Sequence, residues 1–442
     1  MLLKTLKKTG LIFCCATLMC SCSIFDSQKD LPVGKRISII EKSQPLNAKA
    51  GNLNIEIPSM SFSNNWSQTG GNSVHIMQNL SGNNNMKKVW EANFGKGENK
   101  RNLLLAQPII IGDYVYAQDV EATVSAFEIA SGKKVWKTKI KPENKNISDN
   151  GLNGVGLASD GQSIFALTGF GSIVSLDKLN GQQLWRIETK TPLRTAPTVC
   201  NNKLIIQTLD NKLIILSTKD GSQINKYDIS SEDTVLAGGA TPACSVENDI
   251  IVAGFSNGYI ESFNLSIGYP LWTASIINNK RGNSSTNINA IKASPIIDEE
   301  LVYAIGNNDM LVALDYRSGE TVWSQEIGST NTPWLAGNYL YVVTNNNELI
   351  ALDKYTGEVM FNTFILQDYT LEERTDIYLS GPIMVNNKLL ITSSNGVVYI
   401  VSASNGIIEH TIDTKNNLPY APISANDTVI FVNSDADIIA YR

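Results

Sequence analysis

Short apolar runs separated by polar turns recur along most of the chain after residue 85. In residues 294–323, apolar stretches at 301–305 and 311–314 flank a polar turn, and an Asp-x-x-x-Gly turn then leads to Trp323. Runs of β-branched and aromatic residues bounded by Gly, Asn and Asp are typical of short strands joined by tight turns. The pattern therefore predicts a repeated unit made of strands alone.

In most copies of this unit, a glycine stands four residues before a large ring. The positions are Gly132/Trp136, Gly181/Trp185, Gly221/Asn225, Gly268/Trp272, Gly319/Trp323, Gly357/Phe361 and Gly406/His410. The glycines lie between 38 (357 − 319) and 51 (319 − 268) residues apart, the length of a four-stranded propeller blade. We interpret the rings as packing between blades. The junctions at Asn225 and His410 are expected to be less well packed.

The number of blades follows from the two ends of the chain. Eight unit openings can be counted, but only seven of them are followed by a glycine-and-ring strand. The chain ends after the apolar stretch 438–441, while residues 88–94 read as an outer strand with no blade before it. Pairing these two stretches closes the ring and protects its sheet edges. The sequence predicts an all-β fold, an eight-bladed propeller closed by its N- and C-terminal strands over residues 86–442.

The N-terminus carries a targeting signal. Three lysines at positions 4, 7 and 8 precede an apolar run over 11–19, which is too short to span a bilayer. Ser21 directly before Cys22 resembles the bacterial lipobox, so we expect a signal peptide over 1–21 and a lipid on Cys22. Cys20 is the rival site, and plain secretion is the alternative. Ser23 favours the outer membrane, by resemblance to the known sorting rule.

Residues 22–85 are rich in Ser, Asn, Gln and Lys and read as a lipidated tether followed by a semi-ordered lead-in. Within the lead-in, Trp66, the residues up to Gly71, and His75 are expected to pack on a face of the propeller, with His75 in a structural role. The net charge of −6 argues against a nucleic-acid partner. For Cys200 and Cys244 we favour two buried free thiols, with a disulfide in an oxidising periplasm as the alternative.

The unit Ala-x-[Asp/Asn]-x-x-x-Gly-x-x-x-Trp, at Ala313–Trp323 and loosely at Ala126–Trp136, resembles the repeat of PQQ-type propellers. That superfamily contains quinoprotein dehydrogenases and the non-enzymatic BamB family of outer-membrane assembly lipoproteins. The dehydrogenases hold a quinone between a tryptophan and a vicinal disulfide, with a calcium ion beside it. The one adjacent cysteine pair, at 14–15, lies in the signal, and no nucleophile or HExxH motif is present. We therefore expect no enzyme activity, cofactor or metal.

Resemblance to the BamB family implies a lipid-anchored periplasmic scaffold, monomeric itself, that binds the POTRA domains of the barrel-inserting protein BamA. The family motif Leu-Arg-Gly-x-x-Ala-Pro aligns with 236–242, which keeps Leu236, and a near-match at 193–197 supplies Leu193 and Arg194. A second family loop with Asp-x-Asp aligns with the stretch around Ile291, where both acids are absent. These four residues are the predicted partner contacts. The alternatives are a degenerate quinoprotein or small-ligand-binding propeller, and an adhesin-like surface protein.

Overall fold

The computed structural model describes residues 55–83, 85–142, 154–193, 195–228, 240–277, 290–307 and 310–442. Cys22, Arg194 and Leu236 lie outside these ranges, as does the predicted signal peptide. The described residues form eight antiparallel sheets, which are the blades of a propeller. Among them, no helix has the length and apolar character needed to cross a membrane.

The blades are numbered along the chain. Two strands precede the first complete blade, β1 (Asn65–Trp66) and β2 (Lys88–Asn93). Blade 1 contains β3 (Ile109–Ile111), β4 (Tyr114–Gln118), β5 (Thr123–Glu128) and β6 (Lys134–Lys139). Blade 2 contains β7 (Gly154–Ser159), β8 (Ser163–Thr168), β9 (Ser172–Asp177) and β10 (Gln183–Glu188). Blade 3 contains β11 (Thr198–Cys200), β12 (Lys203–Gln207), β13 (Lys212–Ser217) and β14 (Gln223–Asp228). Blade 4 contains β15 (Ala243–Ser245), β16 (Ile250–Gly254), β17 (Tyr259–Asn264) and β18 (Pro270–Ser275).

The second half of the ring repeats this order. Blade 5 contains β19 (Ile296–Asp298), β20 (Leu301–Gly306), β21 (Met310–Asp315) and β22 (Thr321–Gln325). Blade 6 contains β23 (Trp334–Ala336), β24 (Tyr339–Val343), β25 (Glu348–Asp353) and β26 (Val359–Phe364), and a short helix α1 (Leu371–Arg374) follows it. Blade 7 contains β27 (Leu379–Val385), β28 (Lys388–Ser393), β29 (Val397–Ser402) and β30 (Ile408–Asp413). Blade 8 contains β31 (Ile423–Ala425), β32 (Thr428–Val432) and β33 (Asp437–Tyr441).

Burial within each blade follows from its place in the ring. First strands of neighbouring blades contact each other around the axis, so the first strand is the innermost one. The second and third strands are buried on both faces between adjacent blades, as in β4 and β5. The fourth strand is half exposed, as in β6. The core is therefore a series of apolar layers between blades, filled by Ile, Leu, Val and aromatic side chains.

The predicted closure of the ring is confirmed. Strand β2 pairs antiparallel with β33, with Trp90 opposite Ala440, and so becomes the outer strand of blade 8. The backbone N–H of Lys87 donates to the carbonyl of Arg442 at 2.7 Å, and the reverse bond measures 2.9 Å. Both ends of the chain thus complete one sheet, which leaves eight blades and no open gap between the first and the last.

The recurring rings pack between blades, as the sequence predicts. Gly357 has φ +70°, and a Cβ placed on it would lie 2.6 Å from Cε3 of Trp323 on the preceding blade. The indole N–H of Trp323 donates to the carbonyl of Lys354 at 2.9 Å, beside that glycine turn. The same contact between a turn glycine and a ring of the preceding blade recurs at Gly132/Trp90, Gly181/Trp136, Gly221/Trp185, Gly319/Trp272 and Gly406/Phe361. Each ring therefore lies against the turn of the next blade.

The two departures from the ring pattern have different outcomes. At Asn225 the expectation of a poorly packed junction is wrong, because Tyr227 lies against Gly268 and its ring centroid is 5.1 Å from that of Phe263. His410 is exposed on β30. The next sheet there is blade 8, whose outer strand comes from the other end of the chain, so it has no glycine turn to receive a ring.

The cysteines also differ from expectation. Cys200 and Cys244 form a disulfide, with Cα atoms 6.3 Å apart, so the preference for free thiols is wrong. Their strands, β11 and β15, lie side by side around the axis, and the hydroxyl of Thr198 donates to the carbonyl of Pro242 at 2.5 Å. This side-by-side packing compensates for the different distances of the two cysteines from the opening prolines, and the spacing falls within the usual range for a disulfide.

Candidate functional site

The antiparallel order of each blade creates two faces. The turns between first and second strands and between third and fourth strands lie on one side, which we call the turn face. The connections from an outer strand into the next inner strand lie on the opposite side, which we call the entry face. Leu193 and Ile291, the two predicted contact residues that the structure describes, belong to connections of the second kind. The sequence therefore places the predicted partner site on the entry face, beside blades 2 to 5.

Two of the predicted contact residues are described, and both are fully buried. Leu193 packs in the core between blades 2 and 3, and Ile291 packs between blades 4 and 5. The N–H of Ile291 donates to the carbonyl of Phe255 at 3.2 Å. Their side chains therefore hold the connections in place, and the groups available at the surface are exposed neighbours such as Pro192 and Lys292. Contact with a partner through these connections stays a prediction.

The lead-in lies across the channel at the turn face. We call residues 61–82 the plug. The plug meets the inner edge of every blade in turn, through the contacts Ser63–Asn426 (blade 8), Asn65–Ile111 (blade 1), Ser67–Ser159 (blade 2), Gln68–Val199 (blade 3), Ser73–Cys244 (blade 4), Val74–Ile297 (blade 5), Gln78–Gly337 (blade 6) and Leu80–Asn386 (blade 7). The expectation that this cluster packs on a face of the propeller is thus confirmed, but its contacts extend around the whole ring.

His75 has a structural place in the plug. It is 4 % exposed, and its Nδ1 lies 2.7 Å from the carbonyl oxygen of Pro295. Burial lowers the pKa of His75 to about 4, with the bond to Pro295 acting in the opposite direction. The ring is therefore neutral at neutral pH, and because a carbonyl only accepts, Nδ1 carries the hydrogen. Its Nε2 has no hydrogen-bond partner among the described residues.

A cavity of about 160 Å³ lies inside the channel between the plug and the inner strands of blades 1, 6, 7 and 8. It is lined by Trp66, Thr69, Gly70, His75, Gln107, Thr330, Asn331, Thr332, Pro333, Trp334, Gly381, Pro382, Ile383 and Ala421. Trp66 and Trp334 stack with ring centroids 6.1 Å apart. The lining includes no carboxylate and no Lys or Arg. The lining of the cavity is therefore uncharged, and it suits neither a metal cation nor a multiply charged anion.

The described residues do not fit the quinone and calcium pair of the dehydrogenases. Calcium requires several carboxylate and amide oxygens, but no group of three or more His, Cys, Asp or Glu side chains able to hold a metal occurs in the described ranges. The disulfide joins cysteines 44 positions apart on neighbouring blades. It is therefore not the vicinal disulfide against which such a quinone would lie.

Comparisons with known proteins agree with the architecture. A family model described as outer membrane protein assembly factor BamB matches residues 120–363. Outer membrane protein assembly factor BamB of Yersinia pestis is 26 % identical over 359 residues, covering 80 % of this chain and 88 % of that protein.

Solved structures share the propeller fold. BamB from Moraxella catarrhalis has a TM-score of 0.65 and 18 % identity, covering 81 % of this chain and 97 % of that chain. Quinohemoprotein alcohol dehydrogenase from Comamonas testosteroni has a TM-score of 0.67 and 10 % identity, covering 86 % of this chain and 80 % of that chain. Because the two scores are nearly equal, likeness of fold does not separate an assembly factor from a dehydrogenase. The match to the family model distinguishes between them.

Proposed function

Since the chain belongs to the family of outer membrane protein assembly factor BamB, we propose that it is a non-enzymatic scaffold for the folding and insertion of outer-membrane β-barrel proteins. It is anchored by a lipid on Cys22 to the periplasmic side of the outer membrane. It binds the POTRA domains of a BamA-like barrel-inserting subunit as a monomer. The single observation that carries this proposal is the family match over residues 120–363, more than half of the chain.

The architecture supports a scaffold. Eight sheets form a closed ring that is held by a ring-on-glycine contact at seven of its junctions, including Tyr227 on Gly268, by a disulfide between blades 3 and 4, and by the shared sheet of blade 8. A rigid frame of this kind holds loops in fixed positions for a partner at low entropic cost. The alternative, a degenerate quinoprotein or small-ligand binder, has less support because the cavity lining lacks the groups that the cofactor needs.

The entry face is the side proposed for the partner. Leu193 and Ile291 are buried there and position two connections, while Arg194 and Leu236 precede β11 and β15 in the sequence. Apolar anchors and charges that determine orientation are typical of the residues that dominate an interface. We therefore assign direct contact to Leu236 and Arg194, and a positioning role to Leu193 and Ile291.

The proposal is tested by measuring the binding of the purified protein to the POTRA domains of the barrel-inserting subunit of the same organism. Leu236→Asp and Arg194→Glu are expected to weaken binding about tenfold or more each, the usual cost of losing a central interface contact. Leu179→Asp is the matched control, because Leu179 is 62 % exposed on the turn face. If both entry-face variants bind with unaltered affinity, Leu236 and Arg194 are not contact residues. If the unmodified protein does not bind the POTRA domains, the proposed partner is wrong.

A further inference from the structure

The plug contacts the ring as a bound peptide would, independently of the proposed function. Its residues reach the eight blades in chain order, from Ser63 at blade 8 and Asn65 at blade 1 to Leu80 at blade 7. A tether without specific contacts would not be expected to follow a closed circle. The circular path of the plug therefore indicates a peptide that binds specifically to the inner edges of the blades.

Most of these contacts use the backbone of the inner strands. The N–H groups of Ser159, Cys244, Ile297, Asn386 and Asn426 each donate to a plug carbonyl, at distances between 2.6 and 3.2 Å. Without the plug, these N–H groups would lose the carbonyl acceptors that pair them here, which costs free energy where water has limited access. The plug thus satisfies the inner edge of the ring much as an added strand satisfies the edge of a sheet.

Buried side chains hold the plug in register. Gln68 receives a hydrogen bond from the N–H of Val199 at 2.7 Å and donates one back to the carbonyl of Val199 at 3.4 Å. Asn79 is fully buried and donates to the side-chain oxygen of Asn387 at 2.7 Å. Trp66 is 1 % exposed and packs against Trp334. Phe62 in the same segment is 62 % exposed and offers a matched control.

We propose that residues 61–82 are a built-in peptide ligand that fastens the ring a second time and seals the channel at the turn face. The first fastening is the pairing of β2 with β33, which joins blade 8 alone, whereas the plug bonds to all eight blades at once. Among the described residues, the channel is then closed at the turn face and is entered from the entry face. An unfolded polypeptide does not pass through the ring, and any ligand enters from the entry face.

The first test separates the covalent link from the non-covalent contacts. A protease site introduced at residue 84, between exposed Asn83 and Asn85, allows the full chain to be cut after folding. We expect the two pieces to co-elute from a sizing column at micromolar concentration and to separate only in denaturant. Release of the N-terminal piece in native buffer would overturn the proposal, whether or not the remaining ring stays folded.

Variants show which contacts retain the cut piece. Trp66→Ala is expected to weaken retention about 100-fold, because it removes a fully buried ring. Gln68→Ala is milder, about tenfold, because it removes two hydrogen bonds to one residue. Phe62→Ala is expected to leave retention unchanged. Equal retention in all three variants would show that the buried side chains do not hold the plug, and would contradict the proposal.

The second test uses the uncut protein and does not depend on the variants folding normally. Hydrogen exchange is followed at the amides of Ser159, Cys244, Ile297, Asn386 and Asn426, which lie on five different blades and donate to the plug. We expect these amides to be protected and to exchange with similar rates, because one peptide covers them all. Exchange at the rates of exposed loops, or protection that varies independently from blade to blade, would overturn the proposal.

Discussion

The contact between rings and turn glycines gives the sharpest stability prediction. Gly357 and Gly161 both have positive φ, +70° and +88°, but their surroundings differ. A Cβ on Gly357 would lie 2.6 Å from the ring of Trp323, whereas a Cβ on Gly161 would meet nothing within 4 Å. The substitutions Gly357→Ala and Gly161→Ala therefore impose a similar backbone strain and differ in whether the methyl group collides with a ring.

The expected losses of stability follow from the backbone strain and from the collision with the ring. An alanine in the left-handed region costs about 1–2 kcal/mol, and this applies at both positions. Alanine also makes the unfolded chain less flexible than glycine does, which offsets about 0.4–1 kcal/mol of that cost at both positions. The added methyl at Gly357 must displace a ring that is 9 % exposed and hydrogen-bonded to Lys354. Overpacking of this kind costs about 1–3 kcal/mol, so Gly357→Ala is expected to be less stable than Gly161→Ala by that amount.

The assay is urea unfolding followed by circular dichroism, with the free energy of unfolding compared between the two variants. A double variant, Gly357→Ala with Trp323→Leu, is expected to be more stable than the sum of the two single changes predicts, because the smaller side chain makes room for the methyl. Equal free energies of unfolding for Gly357→Ala and Gly161→Ala would show that the ring of Trp323 does not resist the added methyl group, as would strict additivity in the double variant.

The remaining predictions concern the disulfide, the plug histidine, the closure and the anchor. Replacing Cys200 and Cys244 by serine is expected to cost about 4 kcal/mol, the entropy of freeing a loop of 44 residues, and a reductant should then lower the stability of the unmodified protein but not of the double variant. Because burial lowers the pKa of His75 to about 4 in the folded protein, the unfolded chain binds a proton there at a higher pH than the folded protein does. The free energy of unfolding should therefore fall by about 3 kcal/mol as the pH drops from about 6.5 to 4. In urea titrations across this range, His75→Gln should lack this pH-dependent loss of stability. Arg442→Ala removes a 2.6 Å bond to the carbonyl of Ile129 on blade 1 and is expected to cost about 1–3 kcal/mol in the same titrations. Labelled palmitate should enter the unmodified protein and not Cys22→Ala; a label that persists in the variant would move the site to Cys20.

The ring and its closure were predictable because they depend on features that every unit repeats. The pattern of a turn glycine with a ring four residues later has a physical cause: the glycine adopts a positive φ, and the ring packs against the neighbouring blade. The strand at 88–93 was recognisable because it is an outer strand with no blade of its own. The pattern of a ring four residues after a glycine does not identify Tyr227, because its ring lies two residues further along, on the same face of the strand as Asn225.

The plug and the disulfide were less predictable because they depend on contacts between distant positions. The plug bonds mainly to backbone groups, so the identity of residues such as Ser67 and Ser73 carries little information about their partners. The pairing of Cys200 with Cys244 depends on how β11 lies beside β15, which the spacing from the prolines does not reveal. Alignment to family motifs predicts contacts at Leu193 and Ile291, but both side chains are buried in the core.

We propose that this closed ring, in whose described residues no metal-binding cluster occurs, serves barrel assembly through a protein partner. The most direct measurement is crosslinking in the native envelope, followed by purification of the tagged full-length chain and mass spectrometry. We expect to recover a BamA-like barrel-inserting protein with crosslinks to the entry face. Recovery of the chain alone, with a bound quinone in its absorbance spectrum and normal levels of outer-membrane barrels in a deletion strain, would contradict it.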